Sequence, residues 1–474
     1  MKQIIYIFLL FTFYFLLFTF QSKAQYNIST TYSNHGDINA ARYEPSELDL
    51  GYDYLHVGLN YYLWVANNAL DYRSVKEIND TSFVPSPEYI ENLINKFQKN
   101  NLFGAGQDFQ VLGIAFQIVN KEGDKRYDFS LSVVDKFAMN FDFTKNLMKL
   151  AWKGNEQFRG ETVELGPLSL NANYTREYVV GTAFPVTGSR DGFGVRVGLR
   201  AKYIQGMGSI LMPKSKLDMT TDLEGRYIDI DYDYQLKTSG MSTLSPFKYN
   251  GNGFGIDAGV SLFINKNFEV VVSLLDVGGV KYVNDITSYE KQGSIRYKGL
   301  IISNFLGEPD LESQSDSIGS LFLPEPVPGG SYFMPSATRI IIQAEYKTAT
   351  RGRTRIDIQK NLEFTSNAFF ITYIQGLNNM PGATTKPFFS IAYNHDFHKV
   401  FDIGVSAAVG GYNNLALGAF FSLIVGGIKV GVGSDNLTAL VYDKLGTGLD
   451  VSVNLSMAFT PIKRSGLTKH PKYF

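Results

Sequence analysis

Between Arg226 and Leu236 the chain alternates without exception: Ile228, Ile230, Tyr232, Tyr234 and Leu236 fall on one side of an extended strand, and Asp229, Asp231, Asp233 and Gln235 on the other. Such a segment separates an apolar surface from a watery one. The same period returns along most of the chain. Leu55, Val57, Leu59, Tyr61, Leu63 and Val65 oppose His56, Gly58, Asn60, Tyr62 and Trp64; Leu168, Leu170, Ala172 and Tyr174 oppose Ser169, Asn171 and Asn173. Phe193, Val195, Val197, Leu199, Ala201 and Tyr203 oppose Arg196, Gly198, Arg200 and Lys202. Phe254, Ile256, Ala258, Val260 and Leu262 oppose Gly255, Asp257, Gly259 and Ser261, and Leu415 to Val425 repeats the pattern against Ala416, Gly418, Phe420 and Ser422. Many of these runs reach the length a tilted membrane strand needs, ~9–11 residues, whereas the mean soluble strand is ~5–6.

The remainder of the sequence agrees with a membrane barrel. No later stretch approaches the ~20 apolar residues of a membrane helix, and mean hydropathy is -0.08. The 36 Phe, 29 Tyr and 2 Trp make 14% of the chain, a bias that suits aromatic girdles at two membrane interfaces. With 44 Lys+Arg against 45 Asp+Glu the net charge is -1, so no basic surface argues for nucleic acid. There is no cysteine, which removes disulfides, thiolate metal sites and a lipidated start. The expected fold is therefore all-β: an antiparallel transmembrane β-barrel of about 14 strands (12–16), with short helices in its outer loops.

Four stretches follow from the pattern. Residues 1–24 read as a signal peptide: Lys2, an apolar run from Ile4 to Phe20, and the small residues Ser22 and Ala24 before the cut. Residues 25–47 form a periplasmic or lumenal segment, 48–460 the barrel, and 461–474 a C-terminal extension. Short turns such as Asn120–Lys125, Gly188–Gly192 and Asn265–Asn267 alternate with long connections at 66–106, 144–160, 237–250 and 303–334, the expected outer loops. Ser86-Pro87-Glu88 starts a helix whose Ile90, Leu93, Ile94 and Phe97 share a face, a candidate lid over the pore. Thr144–Trp152 gives a second, weaker helix. Phe268–Val280 is a strand, and Ser294–Ile302 is either another wall strand or part of a loop excursion.

On the lumen side this reading collects Arg196, Arg200 and Lys202, then Asp229, Asp231 and Asp233, then Arg339, Glu345, Arg353, Arg355 and Asp357. Opposite charges in a narrow barrel pair with one another and fill it; the sharper alternative is a selectivity lining. Three aspartates at alternate positions do not make a calcium site, because positions i and i+4 of a strand lie ~13 Å apart. His395 and His398 fall in an apparent turn with no third ligand, no His-Ser-carboxylate spacing supports an enzyme, and the glycine-rich run at Gly251 enters a strand rather than a helix. No metal, cofactor or catalytic residue is expected.

The ending Lys444-Leu-Gly446-Thr-Gly-Leu449-Asp-Val451 fits the polar-x-Gly-x-x-hydrophobic-x-hydrophobic signal read by the outer-membrane assembly machinery, a partner during biogenesis. Ala201–Gly206, Gly251–Gly259, Ser273–Gly278, Gly154-Asn155 and Ser434–Leu437, in that set, resemble a domain-of-unknown-function family of outer-membrane barrels in Bacteroidota, related to FadL-type transporters and to type IX secretion accessory barrels. The resemblance implies an exported barrel in outer-membrane lipid that binds or transports a small or hydrophobic solute. The alternative is a barrel with a blocked lumen that docks secretion or surface proteins.

Overall fold

The computed structural model describes residues 31–32, 37–50, 53–80, 85–119, 126–188, 192–241, 247–298, 326–351, 363–397 and 400–459. The expected signal peptide and C-terminal extension lie outside them, as do Arg353, Arg355, Asp357 and His398.

Fourteen strands close one antiparallel ring. They are β1 (Leu55–Asn67), β2 (Asn100–Val119), β3 (Arg126–Thr144), β4 (Ser169–Gly188), β5 (Gly194–Thr221), β6 (Gly251–Asn265) and β7 (Phe268–Tyr282). The ring continues with β8 (Arg339–Arg351), β9 (Glu363–Gly376), β10 (Phe388–Phe397), β11 (Phe401–Gly410), β12 (Asn413–Val425), β13 (Ile428–Ser434) and β14 (Gly448–Phe459). β1 pairs with β2 on one side and β14 on the other, which leaves the ring no edge. The period-two pattern does the sorting: Val453, Val432, Val405, Ile391, Ile371 and Val260 stand exposed on the outside, while Ser452, Ser406, Ser390, Thr372 and Ser261 are buried inside.

Connections at one end, the turn end, run two to six residues, apart from 352–362. At the other, the loop end, they are long apart from Gly411-Tyr412. Among the described residues three helices lie there: α1 (Tyr72–Ile78), α2 (Pro87–Lys96) and α3 (Lys145–Lys153). Each is capped as its sequence dictates, with Asp71, Ser86 and Thr144 accepting from the amides of Ser74, Tyr89 and Leu147. A further one-turn helix, α4 (Thr438–Val441), precedes β14, which starts at Gly448 within the Lys444–Val451 signal.

The segment with the cleanest alternation is not in the wall. β5 runs 28 residues: Gly194–Gly206 pairs with β6, and Ser209–Thr221 continues out of the barrel to pair with an excursion strand, Ile228–Ser239. That strand pairs in turn with a second, Ile286–Tyr297, which settles the 267–303 stretch as one wall strand, β7, plus an excursion. Ile228 and Ile230 turn to a small protein core of Phe158, Val163, Leu165 and Met219, not to lipid. The lumen placement of Asp229, Asp231 and Asp233 is thus overturned. Asp229 takes a bidentate contact from Arg296 at 2.7 and 2.6 Å, Asp233 meets Lys214 at 3.4 Å, and Asp231 stands in register with Asp218 and Ser294. Alternation demands one apolar and one polar environment, and a protein core beside water satisfies it as well as lipid beside a lumen does.

Candidate functional site

The lumen is occupied by the chain's own N-terminal segment. Residues 37–50 make two short 3-10 turns, Ala40–Arg42 and Pro45–Glu47, and both are buried. Asp37 Oδ1 accepts from the amides of Asn39 and Ala40 at 2.5 and 3.3 Å, which starts the first turn. Short as it is, the stretch ahead of β1 serves as a plug.

Two dents in the wall receive it. Gly58 of β1 faces Gly113 of β2 across the ladder, and Gly198 of β5 faces Gly259 of β6. A Cβ on Gly58 would stand 2.5 Å from Ile38 Cγ2, and one on Gly198 would stand 2.2 Å from the carbonyl carbon of Pro45. The wall carries glycine there because plug atoms fill the space of a side chain.

The expected lumen cations hold the plug by its backbone. Arg196 Nη2 donates to Leu48 O at 2.6 Å and to Asp128, and Arg200 Nη1 donates to Arg42 O at 2.9 Å. Arg42 reaches from the plug to Asn60 Oδ1 at 2.8 Å and Asp108 Oδ2 at 3.1 Å. Ser46 Oγ accepts from Ser261 Oγ at 2.8 Å. Tyr32 anchors the other flank: its ring lies 4.5 Å from Phe370, and its hydroxyl is 2.9 Å from Thr372 Oγ1.

Next to the plug, six successive strands each contribute one charge to a buried cluster. Asp276 of β7 is its centre, with Lys136 of β3 at 3.1 Å, Arg339 of β8 at 3.1 Å, and Lys202 of β5 in direct contact. Glu177 of β4 meets Lys136 at 3.0 Å, and Asp257 of β6 meets Lys202 at 2.7 Å. The anions that neutralise Arg196, Arg200 and Lys202 are therefore Asp128, Asp257 and Asp276, not the excursion aspartates. Glu345 is buried against Lys347 at 2.8 Å.

Asp276 also marks an irregularity in the wall. Its φ is 57°, its amide donates to Asp257 Oδ1 at 2.7 Å, and a bulge there sets two β7 residues against Asp257. β8 pairs with β7 up to Leu275; Tyr332–Pro335 resumes the pairing from Gly279. Between them Ser336 and Ala337 turn into the lumen, with the Ser336 amide donating to Gly278 O at 2.9 Å.

A chamber of about 70 Å³ lies over the plug. Tyr43, Tyr62, Trp64 and Ile204 line it together with the charged Asp108, Lys136, Glu177, Asp276 and Arg339. Its roof is Ala337 with Pro381 and Gly382. The roof loop is gripped from inside: Asn140 Nδ2 donates to Met380 O at 3.0 Å and Ala383 O at 3.2 Å, and Tyr412 OH donates to Asn140 Oδ1 at 2.8 Å. A buried water occupies roughly 10–15 Å³ by this measure, so the chamber holds a few waters, well below the ~300 Å³ of a small ligand pocket.

The expected lid lies elsewhere. Leu93, Ile94 and Phe97 are buried, and Leu93 and Phe97 join Ala69, Phe143 and Leu147 in a rim cluster, with Ile90 half-buried; the helix spends its apolar face on strand ends and none of the four borders the chamber. His395 sits in β10, not in a turn, and its Nδ1 lies 2.7 Å from Asn367 Oδ1. The plug seats and the Asp276 centre escaped the sequence reading. Their only trace was the inward position of Gly58, Gly198 and Gly259 beside ordinary serines and aspartates.

Among solved structures the chain is similar to the Ralstonia pickettii toluene transporter TbuX, at 9% identity over 93% of this chain and 100% of that one, with a TM-score of 0.43. It is likewise similar to the Pseudomonas putida toluene transporter TodX (9%, 90% and 95% covered, TM-score 0.40) and to a Pseudomonas aeruginosa FadL homologue (9%, 90% and 94%, TM-score 0.35). No curated protein matches it in sequence. A family model matches residues 53–435, from the start of β1 to the turn after β13, and the chain belongs to that family, DUF5723, a family of unknown function.

Proposed function

We propose that the protein is an exported outer-membrane barrel that passes a small, partly apolar solute through the chamber, with the N-terminal plug as its gate and the loop end outward. The observation that carries this reading is the chamber itself, lined by apolar and charged side chains of the wall and bounded by two parts that are not wall strands: Tyr43 of the plug and the Pro381-Gly382 loop. The plug is held in part by hydrogen bonds and ion pairs that water can replace, and the chamber is too small to pass a solute unless one of the parts shifts.

A second reading keeps the plug fixed and makes the barrel a docking platform. The buried arginine clamps favour it, as does the β5 excursion that projects from the loop end. One pair of substitutions separates the two. Because the chain has no cysteine, Ser46→Cys with Ser261→Cys introduces a single disulfide at a site where the two hydroxyl oxygens stand 2.8 Å apart. Proteoliposomes swelling in iso-osmotic leucine when the pair is reduced, and not when it is oxidised, establish the gated channel. Absence of swelling in both states supports the platform, and equal swelling in both removes the plug as the gate.

A further inference from the structure

β13 is the shortest strand of the ring, seven residues against 13 in β12 and 12 in β14. At ~3.3 Å per residue and a ~40° tilt it climbs about 17 Å, short of the ~25 Å apolar band of a membrane barrel. Its pairing stops at Ser434 opposite Ala419, so the loop-end half of β12 and the first residues of β14 have no strand between them.

The chain fills that gap with a helix. After Ser434 it dips inward, with the Asp435 amide donating to Asp450 Oδ1 at 2.7 Å and the Thr438 amide to Asn436 Oδ1 at 3.1 Å. It then rejoins β12: the Leu437 amide donates to Leu417 O at 2.5 Å, and the Leu417 amide to Thr438 Oγ1 at 2.7 Å. α4 thus sits at the level of Leu417, whose side chain faces outward, and not above the wall. Thr438 and Ala439 are buried, whereas Leu440, Val441, Tyr442 and Leu445 are 65, 70, 52 and 50% exposed. These four extend the outward apolar column of Ile428, Val430 and Val432.

Backbone polarity is dealt with within the segment and by α1, whose Arg73 and Tyr72 amides donate to Asp443 O at 3.2 Å and Gly446 O at 2.8 Å. The amides of Leu440 and Val441 donate to Leu437 O, that of Tyr442 to Thr438 O, and those of Leu445 and Gly446 to Tyr442 O, all within 3.1 Å. A segment whose amides are satisfied by its own carbonyls can enter the acyl boundary, which an open loop cannot. Asp443 and Lys444, at the bend between Tyr442 and Leu445, supply charges for the headgroup level.

We propose that Leu440–Leu445 is a lipid-inserted anchor that completes the apolar belt where β13 falls short, its partner being the acyl and headgroup boundary of the leaflet at the loop end. The proposal rests on the barrel lying in a membrane, and the test keeps the two apart. In a Trp152→Phe background, which leaves only the lumenal Trp64, single reporters are placed by Tyr442→Trp and, at mid-wall, by Phe421→Trp. The full-length protein is reconstituted in phosphatidylcholine vesicles containing lipid brominated near either the glycerol or the methyl end of the chain. The Tyr442→Trp reporter should lose about half its emission, and more to the glycerol-end bromine, as befits a side chain ~5–10 Å into the boundary. If Phe421→Trp is quenched and Tyr442→Trp is not, the anchor is wrong and the membrane barrel stands, the patch then facing water or a second copy. If neither is quenched, both fall. Should Tyr442→Trp fail to assemble, Leu440→Trp on the same exposed face carries the same test.

Discussion

The two flanks of the barrel are built on different principles. On the tall flank β2 to β5 run 20, 19, 20 and 28 residues; on the low flank β10, β11 and β13 run 10, 10 and 7. The tall flank meets the plug with charge: Arg196, Arg200 and the Asp276 centre. The low flank meets it with an aromatic cluster of Phe370, Phe388 and Phe420 around Tyr32. A long strand spans the belt and still has residues left for an excursion and a charge cluster. A short one has none to spare, and its wall is finished by a helix. The comparison teaches that one plug is held by directional bonds added to the packing of Ile38, Ala41, Leu48 and Leu50 on Ala115 and Ala183 on one side, and chiefly by aromatic packing around Tyr32 on the other.

The first way to break this contrast is at its charged centre. Asp276→Asn keeps a residue that tolerates positive φ but leaves Lys136, Lys202 and Arg339 without their shared anion, so it should cost about 3–5 kcal/mol. Thermal unfolding in detergent measures it, and an unchanged midpoint would show the centre to be ornamental.

Next comes the plug seat. Gly198→Ala puts a methyl 2.2 Å from Pro45, an overpacking of about 1–3 kcal/mol that the plug, more easily than the wall, relieves by moving. Trypsin should then cut after Arg42 several-fold faster than in the parent, while the barrel itself stays intact. If cleavage is unchanged, the glycine pairs are not seats.

A smaller effect belongs to the low flank. Tyr32→Phe keeps the ring contacts and loses the hydroxyl's bond to Thr372, worth about 0.5–1.5 kcal/mol, so trypsin access at Arg42 should rise only slightly. A rise larger than that of Gly198→Ala would make the Tyr32 side the stronger hold on the plug.

The smallest effect is expected outside the ring. The Arg296 guanidinium holds the exposed Asp229 carboxyl below its ordinary range, chiefly through their hydrogen bond. A carboxyl depressed in the folded state stabilises above its unfolded value, and that contribution fades as the pH falls through the folded one. Asp229→Asn should therefore lower the unfolding midpoint only slightly at neutral pH, as befits a solvent-screened pair, and the difference from the parent should vanish as the pH falls through the acid range. A loss comparable to Asp276→Asn would return the excursion aspartates to the lumen.

Much of this molecule was written locally. The inward residues of β1, β5, β6 and β12 were legible because side-chain direction in a strand depends on parity alone. Arg196, Arg200 and Lys202 were legible as lumen cations for the same reason. Their partners were not, since Asp128, Asp257 and Asp276 are brought to them by register between strands distant in sequence. Nor was the plug, whose Pro45-Ser46-Glu47 turn reads like any other turn until two pairs of glycines are seen opposite it.

The sequence by itself determined which side chains share a face and that those faces meet environments of opposite polarity. Only the tertiary structure decided what each environment is. Ile228 and Val260 obey the same alternation, yet one faces a protein core and the other the outside of the ring, because parity is a property of one strand and closure a property of fourteen.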